Sequence, residues 1–249
     1  MAFFIACLLL AAAAPAQPGS SQPSQPAQGS EVARPSEAEA LAFVKAFSPS
    51  DLRRGTEIRI LQESFVPALR KDPASAMMLE AYPELGPALT AALTAHIDLY
   101  VEEYDARFFP RAAEIVRRSL SRDVVRTLTA FYASPLGRRV LTAAAKNVDG
   151  DEVAESGIAG KDVDTGVTTR QILKAGVATF VGLSDEERRQ VLAVAQSPAG
   201  RSYVRMMPEI VALQTELTNN PGPRFTAQSE KAMSDVFRRV TGVAPAPGK

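Results

Sequence analysis

The chain is short of the side chains that most catalytic and metal sites require. Of 249 residues, one is cysteine, one is histidine and none is tryptophan. The cysteine, Cys7, sits in an apolar start. A chain cleaved behind that start would carry no disulfide, no thiolate metal site and no cysteine nucleophile. A single histidine, His96, excludes histidine-based triads and most zinc sites, which need further His or Cys ligands. Neither sign of charge is in excess: 28 Lys and Arg stand against 28 Asp and Glu. No global field therefore recruits nucleic acid or an anionic membrane. Aromatic residues make up only 6%, and these, with β-branched residues, are what strands favour. Alanine, the best helix former, is abundant instead. The composition points to an all-α protein.

What is present has a clear order. Phe3 to Ala14 is an apolar run followed by Ala14-Pro15-Ala16. That reads as a secretory signal peptide (1–16) cleaved near Ala16, placing the mature chain in the periplasm or outside the cell. The run is shorter than the about 20 residues that span a bilayer, so no transmembrane segment is expected in the mature chain. No Lys or Arg precedes it, which leaves the start of translation open. Residues 17–35 are rich in Gln, Ser, Pro and Gly and bury too little to order themselves, so they read as a disordered spacer. Residues 36–242 read as a single helical domain, and 243–249 as a frayed tail.

Within the domain, Ser36-Glu37-Ala38-Glu39 and Ser184-Asp185-Glu186-Glu187 are capping boxes, with Ser at N-cap and Glu three residues on. Pro49 ends the first helix, and Ile58, Leu61 and Phe65 stripe the second. Asp72-Pro73 opens a short helix through Met77, Met78 and Tyr82. From Pro87 the apolar spacing predicts one long helix through Phe108, kinked or broken at Pro110. Asn147 to Gly166 reads as a long acidic loop, and a last helix is expected over Ala227 to Val240.

A Ser-Pro-x-Gly-Arg turn occurs twice, as Ser134-Pro135-Leu136-Gly137-Arg138 and as Ser197-Pro198-Ala199-Gly200-Arg201. One constant offset, that from Leu120 to Leu183, also pairs Arg126 with Arg189, Ala130 with Ala193 and Val148 with Val211. The shared register predicts a duplicated helical hairpin, over about 120–148 and 183–211, related by a pseudo-two-fold. Each residue of the turn has a folding role. Ser caps a helix, Pro starts it, and Gly leaves room for a neighbouring helix. Only Arg138 and Arg201 have no such role.

The stretch Leu128-Thr129-Ala130-Phe131-Tyr132-Ala133-Ser134-Pro135-Leu136-Gly137-Arg138-Arg139 resembles the signature of a bacterial exported family, domain of unknown function 2059. In that family an F-Y-x-S-P-x-G turn joins two helices behind a signal peptide. The second copy departs from it, with Val194-Ala195 in place of Phe131-Tyr132. The resemblance implies an all-α periplasmic domain and supplies no catalytic residues.

Candidate chemistry is sparse. Ser134 and Ser197 lack a nearby His or a nucleophile elbow. Glu102, Glu103 and Asp105, and Asp149, Asp151, Glu152 and Glu155, could bind Ca²⁺ or act as acid–base pairs. The second group lacks EF-hand spacing, and solvated charge is the simpler reading, with Ca²⁺ at 149–155 left open. Five Arg-Arg pairs (53–54, 117–118, 138–139, 188–189, 238–239) straddle polar faces and suit salt bridges. The Met77-Met78 and Met206-Met207 pairs suit adaptable packing. The expected role is non-catalytic, an interaction or structural module of the cell envelope, with an unknown envelope protein as partner. No cofactor or metal is expected. The alternative is a carrier of an apolar ligand, such as a lipid, between helices. A carboxylate-dependent hydrolase is a more remote one.

Overall fold

Helices account for all the regular structure among the described residues, 33–242 of a computed structural model. The expected leader, residues 17–32 of the spacer and the 243–249 tail lie outside them. In chain order the elements are α1 (Glu37–Phe47), α2 (Ser50–Ile60), a π turn (Leu61–Phe65), α3 (Val66–Lys71), α4 (Pro73–Ala81) and α5 (Leu85–Thr94). There follow α6 (Ile97–Ser119), α7 (Arg122–Ala133), α8 (Pro135–Asn147), α9 (Asp151–Ile158), α10 (Thr165–Val181), α11 (Asp185–Gln196), α12 (Pro198–Asn219) and α13 (Pro223–Thr241). None is long and apolar enough to cross a membrane.

The starts follow the local chemistry. Ser36 and Ser184 form complete capping boxes with Glu39 and Glu187. Asp72 accepts from the Ser75 N–H at 2.8 Å, and Asp164 from the Val167 N–H at 2.9 Å. The chain is already docked ahead of the first cap: the Arg122 N–H donates to the Ala33 carbonyl at 2.8 Å, and Pro35 is buried.

Both Ser-Pro-x-Gly-Arg turns form the same corner. Ser134 Oγ donates to the Phe131 carbonyl at 2.6 Å and accepts from the Gly137 N–H at 3.0 Å. Ser197 Oγ does the same with Val194 at 2.6 Å and Gly200 at 3.1 Å. A Cβ on Gly137 would lie 2.0 Å from the Phe131 carbonyl oxygen, and one on Gly200 2.3 Å from that of Val194. The glycine is thus needed against the end of the preceding helix. The settings differ: α7 packs against α1, α8 and α12, whereas α11 packs chiefly on α12. An ion pair from Arg139 to Glu187 at 2.7 Å ties α8 to α11.

Four expectations change. The long helix from Pro87 is two helices, because the chain turns at Ala95-His96, where His96 has φ −106° and ψ 2°. The turn lets α5 pack on α13 while α6 packs on α1 and α12. Pro110 does not break α6. Pro110 and Ala106 are both exposed, so the carbonyl that Pro110 cannot serve can turn to water. The segment 147–166 is not one loop, since it contains α9. The last helix starts at Pro223, four residues before the apolar pattern sets in.

One continuous apolar cluster joins α1, α2, α6, α7, α8, α10, α11 and α12. Its centre is aromatic. Phe43 and Phe47 of α1 lie 4.9 Å apart, and each ring is 6.2 Å from those of Tyr132 and Tyr203. Burying each such ring contributes about 1.5–3 kcal/mol, with a further increment for tilted and edge contacts. Met206 and Met207 are both buried here. Met77 is 72% exposed and Met78 half-buried, so that pair stays outside the core.

Candidate functional site

Most of the residues singled out from the sequence hold caps, helix ends or ion pairs where they now stand. Arg201 donates to the Gln196 carbonyl, at the end of α11. Arg138 is exposed on α8. Glu103 accepts from the Phe225 and Arg224 N–H groups at the start of α13, at 2.8 and 3.2 Å, and Glu102 pairs with Arg224 at 3.2 Å. Asp149 pairs with Lys174, Glu152 with Arg170 and Glu155 with Lys71. Their carboxylates are spread along α9 and its lead-in, each facing its own cation. Most Arg pairs form surface ion pairs, as with Arg118–Glu209, Arg188–Asp185 and Arg189–Glu186.

Arg53 is the exception, buried to 1% exposure. Its guanidinium pairs with Asp105 and donates to Ser48 Oγ at 2.6 Å. Ser50 Oγ donates to the same aspartate. The guanidinium carbon stands 4.4 Å from the Tyr104 ring centroid and 5.4 Å from that of Phe108. Burial pulls the Arg53 pKa down from its ordinary value, and the nearby Tyr104 and Tyr100 oppose that shift. The cation still has a carboxylate and a ring face, which is what a buried charge requires. This cluster ties α2 to α6 and makes Asp105 a structural residue.

Beside it opens a groove of about 570 Å³ between α2, the π turn, α3, α5, α9 and α13. Leu61, Phe65 and Leu69 form one wall, Leu89 and Leu93 another, and Phe225 and Met233 a third. Val153 and Ile158 of α9 lie along its edge. Glu57, Ser75, Thr218 and Ser229 are the polar groups that reach it. Its size and its mix of apolar walls with few polar points are those of a small-molecule site. The groove between α6 and α12 is different in kind: its Arg111–Glu216 and Arg118–Glu209 pairs already satisfy one another.

Two features set the walls of the 570 Å³ groove apart. The π turn inserts one residue into an otherwise regular helix, so Phe65 lines this groove while Val66 turns away from it to the far side of α3. Such insertions are frequent at functional sites. The helices α4 and α9 each contain no buried residue, so the elements flanking the groove are held only lightly. At its inner end the Tyr100 ring lies 5.1 Å from Phe225. Burial, and then the Glu57 carboxylate, push the Tyr100 phenol well above its ordinary pKa.

Sequence reasoning did not find this groove. The available signal was the stripe of α2, which reads as Ile58, Leu61, Phe65 and then Val66: two adjacent apolar residues where a regular helix needs one. No family model matches the chain, and no curated protein or solved structure matches it.

Proposed function

We propose that this chain is a non-catalytic helical binding protein that carries an apolar or amphiphilic ligand in the groove between α2, α3, α5, α9 and α13. What supports the reading most is the coincidence, in one place, of apolar walls, a π turn and flanking helices without a buried residue. The chain would work outside the cytoplasm, as its leader-like start suggests, and alongside the exported family that its Phe-Tyr-Ala-Ser-Pro-Leu-Gly-Arg stretch resembles. The side chains near the groove bind and orient.

The test is titration with Nile red, an uncharged apolar dye, against the wild type and Ala154→Trp. Ala154 lines the groove from α9, so an indole there fills it without entering the aromatic centre. The expected result is saturable binding to one site, weakened at least about tenfold in the variant, with an unchanged helical spectrum. Binding that is absent, or indifferent to the substitution, would contradict the proposal.

A second reading, docking to an envelope protein, rests on a different observation. Val177 and Val181, one turn apart on α10, are 55% and 69% exposed. Cross-linking in the periplasm that disappears in a Val177→Ser, Val181→Ser double variant would support it. Cross-links unchanged by that variant would remove it.

A further inference from the structure

We propose that the protein has a second ligand site, on the far side of α3 from the groove described above, and that it takes an amphiphile whose anionic head is bound by Arg70.

The site is a cleft of about 790 Å³ between the π turn, α3, α4 and α5. It falls in the size range of small-molecule sites and shares no lining residue with the first groove. The π turn shapes it too, since the inserted residue sends Val66 to this side. Val66, Leu79, Pro83, Pro87 and Ala91 give the cleft its apolar surface. Gly86 keeps its floor open: a Cβ there would stand 3.3 Å from Leu79 and from both Val66 methyl groups.

Arg70 is the only charged residue among the described residues that line the cleft. It is exposed, and among the described residues it has no hydrogen bond, ion pair or ring contact. The charges near it in sequence are engaged elsewhere. Lys71 pairs with Glu155, Glu63 pairs with Arg59 at 2.8 Å, and Asp72 accepts from the Ser75 N–H at 2.8 Å. Glu80 and Glu84 do not line the cleft. A cation in the last turn of α3 suits a helix end, but that attraction leaves its N–H donors without a protein acceptor. The Thr90 and Thr94 hydroxyls donate to the Gly86 and Thr90 carbonyls at 3.0 and 2.8 Å. Head recognition therefore falls to Arg70, with the Gln62 amide beside the same cleft. A free anion gains little from an exposed guanidinium, because water screens the pair. An apolar body laid along Val66, Leu79 and Pro87 adds hydrophobic gain, and the planar fork then selects a carboxylate or phosphate head.

Calorimetric titrations with decanoate and decyltrimethylammonium, each below its micelle concentration, and with acetate test this on the Ala154→Trp chain, in which the first groove is filled. Decanoate should bind at least about tenfold more tightly than decyltrimethylammonium. Acetate, a head without a tail, should bind at least about a hundredfold more weakly than decanoate. Arg70→Gln should bring the two ten-carbon probes to within about threefold, and Ala91→Trp, which fills the cleft from an exposed position, should abolish the decanoate signal. Neither Arg70 nor Ala91 lines the first groove, so both substitutions read the same site on the wild-type background if Ala154→Trp folds poorly. Decanoate binding that matches decyltrimethylammonium or acetate, or that is unchanged by Arg70→Gln or by Ala91→Trp, overturns the proposal. None of these outcomes bears on the first groove, which the Nile red titration tests separately.

Discussion

The half of the molecule built on α1, α6, α7 and α12 and the half built on α3, α4, α5, α9 and α13 are both helical, yet they are held by different means. In the first, Phe43, Phe47, Tyr132 and Tyr203 interlock and a buried Arg53–Asp105 pair joins α2 to α6. In the second, two helices have no buried residue, and α9 is tied down by surface pairs from Lys71 and Arg170. Part of the apolar surface of this half lines a groove. Stability is therefore concentrated in the aromatic frame, and the apolar groove lies where opening costs least. That division is what a carrier needs: a rigid frame, and walls that can move to admit a guest.

The largest expected effect lies in the frame. Replacing Arg53 or Asp105 alone by Ala strands its buried partner and should cost about 3–5 kcal/mol, read from urea unfolding. A cost below about 1 kcal/mol, the range of a surface pair, would erase the contrast between the halves. Next come the corners. Gly137→Ala and Gly200→Ala each force a methyl group onto a carbonyl and should cost about 1–3 kcal/mol. Gly137 should be the worse of the two, because α7 is enclosed by α1 and α12 while α11 is not. Equal costs would mean that the corner acts locally and its setting is irrelevant.

In the groove half the effects shrink. Lys71→Ala and Arg170→Ala, which remove half-exposed pairs, should each cost at most about 0.5 kcal/mol in global unfolding. They should nevertheless speed amide exchange in α9, since local opening responds where global stability does not. A smaller effect depends on pH. Glu39 is held down to about 2 from its ordinary 4.5, first by the Ser36 backbone N–H and then by Arg122. A carboxyl lowered by folding stabilises above its unfolded pKa and loses that contribution as pH falls through the folded value. Acid titrations of the wild type and Glu39→Gln should therefore differ near neutrality and converge between about pH 4.5 and 2. Curves that stay parallel to pH 2 would deny Glu39 this role.

What the sequence made legible was local. Ser36, Asp72, Ser134, Ser184 and Ser197 cap helices because a cap needs only residues three positions away. The Gly137 and Gly200 requirement could be read for the same reason. The break at His96 was not readable, since the apolar spacing continues through it and the cause is the packing of α5 on α13. The burial of Arg53 was hidden because its partner, Asp105, lies far along the chain on another helix, and an arginine on an amphipathic helix ordinarily faces water. The acidic segment looked like a loop because α9 buries none of its residues and so leaves little periodic signal. The groove is the extreme case. Its lining comes from nine separate elements, and only the doubled Phe65-Val66 step in the α2 stripe hinted at the irregular turn that forms one side of it.

The most direct test of the account is amide hydrogen exchange of the full chain with and without saturating 1-dodecanol. The account predicts that, in the free protein, α4 and α9 exchange fastest among the described helices and α1 and α6 slowest. Added dodecanol should then protect α4, α5, α9 and the Leu61–Phe65 turn, and leave α1 and α7 unchanged. Protection centred on α1, α7 and α12, or none in the groove walls under saturating ligand, would contradict it.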